Sequence, residues 1–333
     1  MKKSLIALAV LAAAAGSASA QSSVTVFGIV DVAYRHLDND SAGTRDVLGS
    51  SGLSTGRIGF RGVEDLGGGL KAGFWLESEV KADEGTQPNS RFWHRRATVS
   101  VISDSLGEVR LGRDFTPTYS GLADYDAFGT TGIADTTRIY KVWGGVDTKV
   151  RADNQVSYIL PGNLGGIYGQ ASVAAGEGTA GKKYFGGRLG FKAGAFDVSG
   201  AYGQTEVTSD DVKLAVIGGS YDFGVAKLMA AYQQAKYQGD KDEHMTVGAT
   251  VPVGAFVLRA AYSQSKSSDV TDRDANRFAL GAIYNLSKRT ALYGTYAVID
   301  NDDGAAFTVS NDYSTIAAGD KSQGLEIGIR HSF

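Results

Sequence analysis

The sequence has no cysteine at all, so no disulfide can staple it and stability must come from packing and backbone hydrogen bonding. Long hydrophobic runs are also missing. Beyond residue 20 no apolar stretch approaches the roughly twenty residues of a membrane helix, which excludes a helical membrane protein and leaves a barrel open. Basic residues are not in excess either: the formal charge of −3 is a mildly acidic balance that argues against a nucleic-acid partner. Histidine is scarce, and His36, His94, His244 and His331 lie on separate segments without metal-ligand spacing. Neither a metal nor another cofactor is expected.

What is present begins with an export signal. Met1-Lys2-Lys3 is basic, residues 4–15 form an apolar run too short to span a bilayer, and Ala18-Ser19-Ala20 supplies the small-x-small pattern that precedes cleavage. Residues 1–20 are read as a cleaved signal peptide and residues 21–333 as one domain; losing Lys2 and Lys3 but no acid takes the charge from −3 to −5. The 45 glycines fall inside nearly every alternating segment, where they permit close backbone approach and curvature. The 16 tyrosines suit a boundary between lipid and water, having an apolar ring and a wet hydroxyl.

Alternation of apolar and polar residues is the dominant pattern. It runs unbroken through Leu325-Glu326-Ile327-Gly328-Ile329-Arg330-His331-Ser332-Phe333 and stops on an aromatic terminus, where a soluble chain would ordinarily fray. Seven glycine-, proline- or asparagine-bearing tight turns, at 65–69, 104–107, 161–163, 192–194, 222–224, 252–254 and 285–288, join alternating segments in pairs. Longer polar connections fall near 37–53, 82–91, 115–149, 176–182, 206–211, 237–243, 266–275 and 300–321. Short turns at one rim and long loops at the other predict an all-β, transmembrane antiparallel barrel of about sixteen strands.

The faces support lipid outside and water inside. One face carries Arg57 and Arg61, Lys227 and Gln233, Arg259 and Ser263, and Glu326 and Arg330; the other carries Ile58 and Phe60, Leu228 and Tyr232, Leu258 and Tyr262, and Leu325, Ile327 and Ile329. A secreted sandwich would need both inner faces apolar to build a core. In hydrocarbon an unpaired backbone group costs several kcal/mol, so such strands require a ring without an edge. The strand ending at Phe333 should therefore pair with the one beginning near Val24.

The chain also resembles the general porins of Gram-negative outer membranes, of the betaproteobacterial and neisserial type. The matching stretches are Val24-Thr25-Val26-Phe27-Gly28, Gly59-Phe60-Arg61-Gly62-Val63-Glu64-Asp65-Leu66-Gly67-Gly68-Gly69-Leu70, Leu111-Gly112-Arg113-Asp114-Phe115-Thr116-Pro117, Arg151-Ala152-Asp153-Asn154-Gln155-Val156-Ser157-Tyr158 and the terminal Phe333. The resemblance implies a homotrimeric, water-filled channel in the cell outer membrane, for passive diffusion of small hydrophilic solutes and ions. It implies outer-membrane lipid and lipopolysaccharide as surroundings. Phe333 would be the assembly signal read by the barrel-insertion machinery. No catalytic residue is implied.

In such porins the third long loop folds inward to narrow the pore. Here that loop holds Asp124, Asp126 and Asp135 as candidate constriction acids, with Arg138, Lys141 and Lys149 beside them. Asp126-Ala127-Phe128-Gly129 matches the family's acidic-proline-phenylalanine-glycine tip except that Ala127 replaces the proline. A basic wall would face it, with Arg57, Arg61, Arg95, Arg96 and Arg151 as candidates. Alignment to the family favours Arg95, whereas alternation with Ala97, Val99 and Val101 turns Arg96 inward, so the two are rivals. Arginine stays charged at all cellular pH and presents a rigid fork of donors; several in a narrow aqueous passage lower the barrier for anions. A mild anion preference is expected.

Two local patterns look like other functions. Gly176-Glu177-Gly178-Thr179-Ala180-Gly181-Lys182-Lys183 resembles a phosphate-binding loop, but Lys183 stands where a magnesium-binding hydroxyl belongs and no helix pattern follows. Asp300-Asn301-Asp302-Asp303-Gly304 resembles a calcium loop, but Ile299 takes the first ligand position and no glutamate closes the set. Alternative readings are an outer-membrane barrel hydrolase, which needs a serine or aspartate beside a histidine at the rim, and a closed structural or adhesive barrel. Single-channel conductance separates the last from a channel.

Overall fold

The computed structural model describes residues 23–88, 90–140, 146–268, 273–302 and 304–333; the signal-peptide reading and Lys141 lie outside the described residues. Its strands are β1 (Ser23–Asp38), β2 (Thr44–Ser50), β3 (Arg57–Gly67), β4 (Leu70–Glu79), β5 (Arg96–Ser103), β6 (Gly107–Phe115), β7 (Arg151–Ile159) and β8 (Ile167–Ala174). They continue as β9 (Tyr184–Ala193), β10 (Phe196–Glu206), β11 (Asp211–Asp222), β12 (Lys227–Tyr237), β13 (Asp240–Val253), β14 (Phe256–Ser267), β15 (Ala275–Asn285), β16 (Thr290–Asn301) and β17 (Ser322–Ser332).

These segments close a barrel of sixteen wall positions. β1 pairs along one half with β2 and along the other with β3, so those two short segments succeed one another in a single position. Between them the chain leaves the ladder at Ser51, which has φ 68°. Asp31 holds the detour: its carboxylate accepts the amides of Gly52, Leu53 and Ser54 at 3.2, 3.0 and 2.7 Å. All other neighbours are sequential and antiparallel, and β17 returns to β1 with Ile29 opposite Ser332 and Asp38 opposite Gln323. Gly28 and Phe333 exchange both backbone hydrogen bonds, at 3.1 and 3.0 Å. No edge remains.

Exposure is inverted relative to a soluble protein. Leu258 and Ile327 are 46% and 57% exposed, whereas Arg259 and Glu326, their neighbours in sequence, are 8% and 0% exposed. That is the signature of strands with lipid outside and a polar interior. Near the long-loop rim five outward tyrosines form a belt. Tyr34, Tyr202, Tyr232, Tyr262 and Tyr296 donate their hydroxyls to Asp46, Gln204, Glu243, Asn276 and Gln323, respectively. Each ring stays apolar while its hydroxyl meets polar groups, which places the upper boundary of the hydrocarbon there.

Several connections expected to be long are tight. β12 ends at Tyr237 and β13 begins at Asp240, and β2 occupies much of the expected 37–53 loop. The polar residues there had suggested loops. Above the tyrosine belt the outer face meets water as well, so the hydrogen-bond ladder continues while the apolar alternation stops.

Candidate functional site

The third long connection enters the barrel immediately after β6. Thr116 caps a short helix, α1 (Pro117–Ala123), by accepting the amide of Tyr119, and Pro117 occupies the first turn, where its missing N–H costs nothing. Short 3-10 turns at Gly132–Ala134, Thr136–Ile139 and Asp147–Lys149 follow. Leu122, Tyr125, Phe128, Ile133 and Ile139 are buried against Val216, Met229, Ala231, Ala261, Ala279 and Ala297 of the wall. The loop therefore fills one side of the lumen.

Three wall glycines make room for it. A Cβ on Gly218 would lie 2.2 Å from Tyr125, one on Gly248 2.7 Å from Ala127, and one on Gly281 2.9 Å from Phe128. These are inward positions on β11, β13 and β15, so consecutive parts of the loop tip each sit on a position without a side chain. Polar contacts complete the seat. Tyr125 donates to Asp197 at 3.0 Å, the Thr136 and Ser263 hydroxyls are 2.9 Å apart, Arg277 donates to the Ala134 carbonyl, and Tyr140 stacks on His244 at 3.8 Å.

The passage that remains is a cavity of about 680 Å³ between this loop and the opposite wall. Arg35, Arg57, Arg95, Arg138 and Arg151 line it, opposed by Glu79, Asp83, Asp124, Asp135 and Asp312. Arg57 Nη1 lies 3.3 Å and Arg95 Nε 2.6 Å from the same carboxylate oxygen of Glu77, and Arg95 also faces Glu79 at 3.5 Å. Arg151 differs. It forms no ion pair among the described residues, and its guanidinium lies over the Phe115 ring at 4.2 Å.

The rivalry between Arg95 and Arg96 dissolves because both face the interior. β5 begins at Arg96, so Arg95 lies outside the strand and alternation places no demand on it. Arg96 and Arg61 sit beyond the constriction toward the short-turn rim, flanking Trp75 with guanidinium-to-ring distances of 4.5 and 5.1 Å. They line a second space of about 380 Å³ together with Arg110 and Glu108. Arg61 and Arg96 thus line this second space and not the cavity beside the inserted loop. The inward position of Arg151 also has a different cause from the one expected. Asn154, with φ 53°, and the register shift opposite Gly112 and Asp114 break the alternation counted from Val156. Arg151 reaches the cavity from the first position of β7, beside Val150 in helical backbone.

The three loop acids have different surroundings. Asp124 is exposed and faces Arg188 at 2.5 Å. Asp135 caps the turn after it, accepting the Thr137 amide at 2.8 Å, and borders the passage. Asp126 corrects the expectation: it is buried beneath the loop tip and accepts the amides of Phe128 and Thr130 at 3.0 and 2.7 Å. Burial pushes its carboxyl above the usual range, opposed by the Arg277 charge and those two amides. Asp126 organises the tip turn, including the stretch where Ala127 stands, instead of facing the pore.

Sequence reading missed Arg35, Glu77, Glu79 and Asp312. Arg35 joins Glu326 at 2.6 Å to Asp312 at 2.5 Å, so the segment 304–321 also reaches into the passage. Burial disfavours ionised Asp312, but the Arg35 charge and hydrogen bond, with Ser310, outweigh it and hold the carboxyl below its ordinary value. Glu77 and Glu79 were legible in principle, since both fall on the inward phase of β4 with Trp75.

Comparison with known proteins is consistent with this architecture. A family model described as Gram-negative porin matches residues 7–304. The chain is similar to outer membrane porin protein 32 of Delftia acidovorans, 42% identical with both chains covered completely, and to an outer membrane porin protein of Bordetella pertussis, 32% identical over 68% of each. Among solved structures it resembles an anion-selective porin from Comamonas acidovorans, at 40% identity and TM-score 0.85, covering 94% of this chain and all of that one.

Proposed function

Because the chain belongs to the Gram-negative porin family, we propose that its constriction favours small anions, selected by the basic wall of Arg35, Arg57, Arg95 and Arg151 against the acids of the inserted loops. The protein is an outer-membrane β-barrel channel for passive diffusion of small hydrophilic solutes and ions. Its relatives are described as porins, not as enzymes.

One observation carries the selectivity reading: Arg151 lines the passage with no carboxylate partner among the described residues, on the face of Phe115. No contact ion pair among the described residues holds its charge, which Glu77 and Glu79 meet only at longer range. At an effective dielectric of about 20, a charge pair 4 Å apart is worth about 4 kcal/mol before desolvation, so one such group can outweigh a modest net charge of opposite sign elsewhere. Asp124 and Asp135 across the passage would orient dipolar solutes within the resulting transverse field. The relative from Comamonas acidovorans, described as anion-selective, agrees in sign.

The test is the reversal potential of the purified protein in planar bilayers under asymmetric salt, for wild type and for Arg57→Gln and Arg151→Gln. Anion preference that weakens in both variants is the expected result. Clear cation preference in the wild type, or selectivity unchanged in both variants, overturns the assignment.

Four further readings follow, the first from the pattern of residues 1–20 and the other three from the family. Residues 1–20 are proposed as the cleaved export signal, checked by sequencing the N-terminus of the purified protein, which should begin at Gln21. A homotrimer is proposed as the working state, and mass measurement of the detergent-solubilised protein should give three chains. Outer-membrane lipid and lipopolysaccharide are proposed as the surroundings of the outer wall. The barrel-insertion machinery is the proposed reader of Phe333.

A further inference from the structure

On the short-turn side of the constriction the water-facing wall carries an indole beside an arginine. Arg61 of β3 stands in register opposite Thr25 of β1 and Trp75 of β4, and Trp75 stands opposite Thr98 of β5. One row nearer the short turns, Gly73 lies between Val63 and Ser100 and leaves its inward position bare. Ile102 borders that gap, 3.3 Å from where a Cβ on Gly73 would be. The result is a hollow with a glycine floor and apolar sides from Trp75 and Ile102, within the space of about 380 Å³ already described. The indole is held in place. Its Nε1 donates to Glu77 at 3.1 Å, and Phe27 meets it edge on with ring centroids 5.1 Å apart.

Charges around the hollow are used unequally. Arg110 is held by Glu108 at 2.8 and 2.9 Å and by Asp114 at 2.8 Å, and Arg96 reaches Asp114 at 3.4 Å and the Thr98 hydroxyl at 3.2 Å. Glu77 is shared by Arg57 and Arg95. Asp65 stands opposite Lys71, four residues beyond Arg61 and so about 13 Å along the strand. Arg61 itself is exposed to the lumen and forms neither an ion pair nor a side-chain hydrogen bond among the described residues. Its guanidinium rests over Phe27 at 5.3 Å and over Trp75 at 5.1 Å. Those ring contacts orient the cation and leave its N–H donors unused.

We propose that the hollow over Gly73 binds aromatic carboxylates on their way through the channel, with the carboxylate on the Arg61 fork and the flat ring on the glycine floor beside Trp75 and Ile102. The site rests on the channel reading and names a solute class for it, at a place separate from the constriction. A bare inorganic anion satisfies the arginine and leaves the apolar floor wet. An uncharged arene covers the floor and leaves the arginine without a partner. An aromatic carboxylate meets both needs at once, one apolar surface and one fixed polar group being the usual composition of a small-molecule site.

The experiment compares benzoate with cyclohexanecarboxylate, which keeps the charge and approximate size, and with benzyl alcohol, which keeps the ring. Affinities are read by saturation-transfer NMR of the mature protein in detergent and by current noise of single channels in planar bilayers. Wild type should bind benzoate about fivefold or more tightly than either comparison compound. Among variants that keep heat-modifiable gel mobility, Arg61→Gln should lose about tenfold in benzoate affinity, and Arg61→Lys should fall between it and wild type because a point charge replaces the fork. Gly73→Val should weaken benzoate with Arg61 intact, and Trp75→Leu should bring benzoate down to the level of cyclohexanecarboxylate. Equal wild-type affinity for benzoate and cyclohexanecarboxylate overturns the aromatic class, and unchanged benzoate binding in Arg61→Gln or in Gly73→Val overturns the site. A loss in Arg151→Gln as large as that in Arg61→Gln overturns it in favour of the constriction. A wild-type protein that shows this binding pattern in detergent but does not conduct would count against the channel reading alone.

Discussion

Charge in the passage is shared unequally among residues that look alike in the sequence. Glu77 serves both Arg57 and Arg95, so deleting either arginine leaves the carboxylate with the other. Arg151 has only an aromatic face beneath it. Arg151→Gln should therefore shift the reversal potential toward cations more than Arg57→Gln does, read in the same asymmetric-salt experiment; the opposite ranking would mean that the Glu77 pairs do not screen the passage. Asp312 supplies a pH dependence. Its folded carboxyl ionises below the unfolded value, so the contact with Arg35 stabilises the structure fully above the ordinary aspartate value of about 4 and loses that contribution as pH falls through the depressed folded value. Conductance should be flat from pH 7 to about pH 5 and become noisy in stronger acid. Asp312→Asn should show the noise already at neutral pH.

Among elements, the inserted loop depends on what the wall leaves out. Tyr125, Ala127 and Phe128 sit on Gly218, Gly248 and Gly281, and no side chain can be added there without pushing the loop into the passage. Gly218→Val should cost about 1–3 kcal/mol of overpacking and change single-channel conductance, while barrel content by circular dichroism stays constant because β11 keeps its ladder. Unchanged conductance would show that the loop does not set the narrow point. Asp126 belongs to this scale as well, since its two amide contacts shape the tip that these glycines receive.

The whole molecule is held together by closure. β1 meets β17 over ten residue pairs, and the last residue of the chain completes the ladder against Gly28. A Cβ on Gly28 would lie 2.3 Å from the Phe333 ring, which rests over that bare position on the outside of the seam. Deleting Phe333 should lower the yield of folded protein in the outer membrane, measured by heat-modifiable gel mobility, and leave the conductance of the molecules that do assemble unchanged. Altered conductance would place the residue's role in the pore.

The sequence alone determined the barrel, the side of each strand that meets water, and the meeting of the two ends. All three follow from period-two alternation and from the rule that no backbone edge survives in lipid, and both can be read from neighbours in the chain. That the constriction would be built from arginines such as Arg57 and Arg151 came from resemblance as much as from alternation, which the bulge at Asn154 breaks. Only the tertiary structure decided that Asp126 is buried, that Arg95 and Arg96 both face inward, and that Asp312 joins Arg35 from 277 residues away. These depend on where two loops come to rest inside a ring, set by the room above Gly218, Gly248 and Gly281 and by pairings across the lumen that leave no periodic trace in the chain.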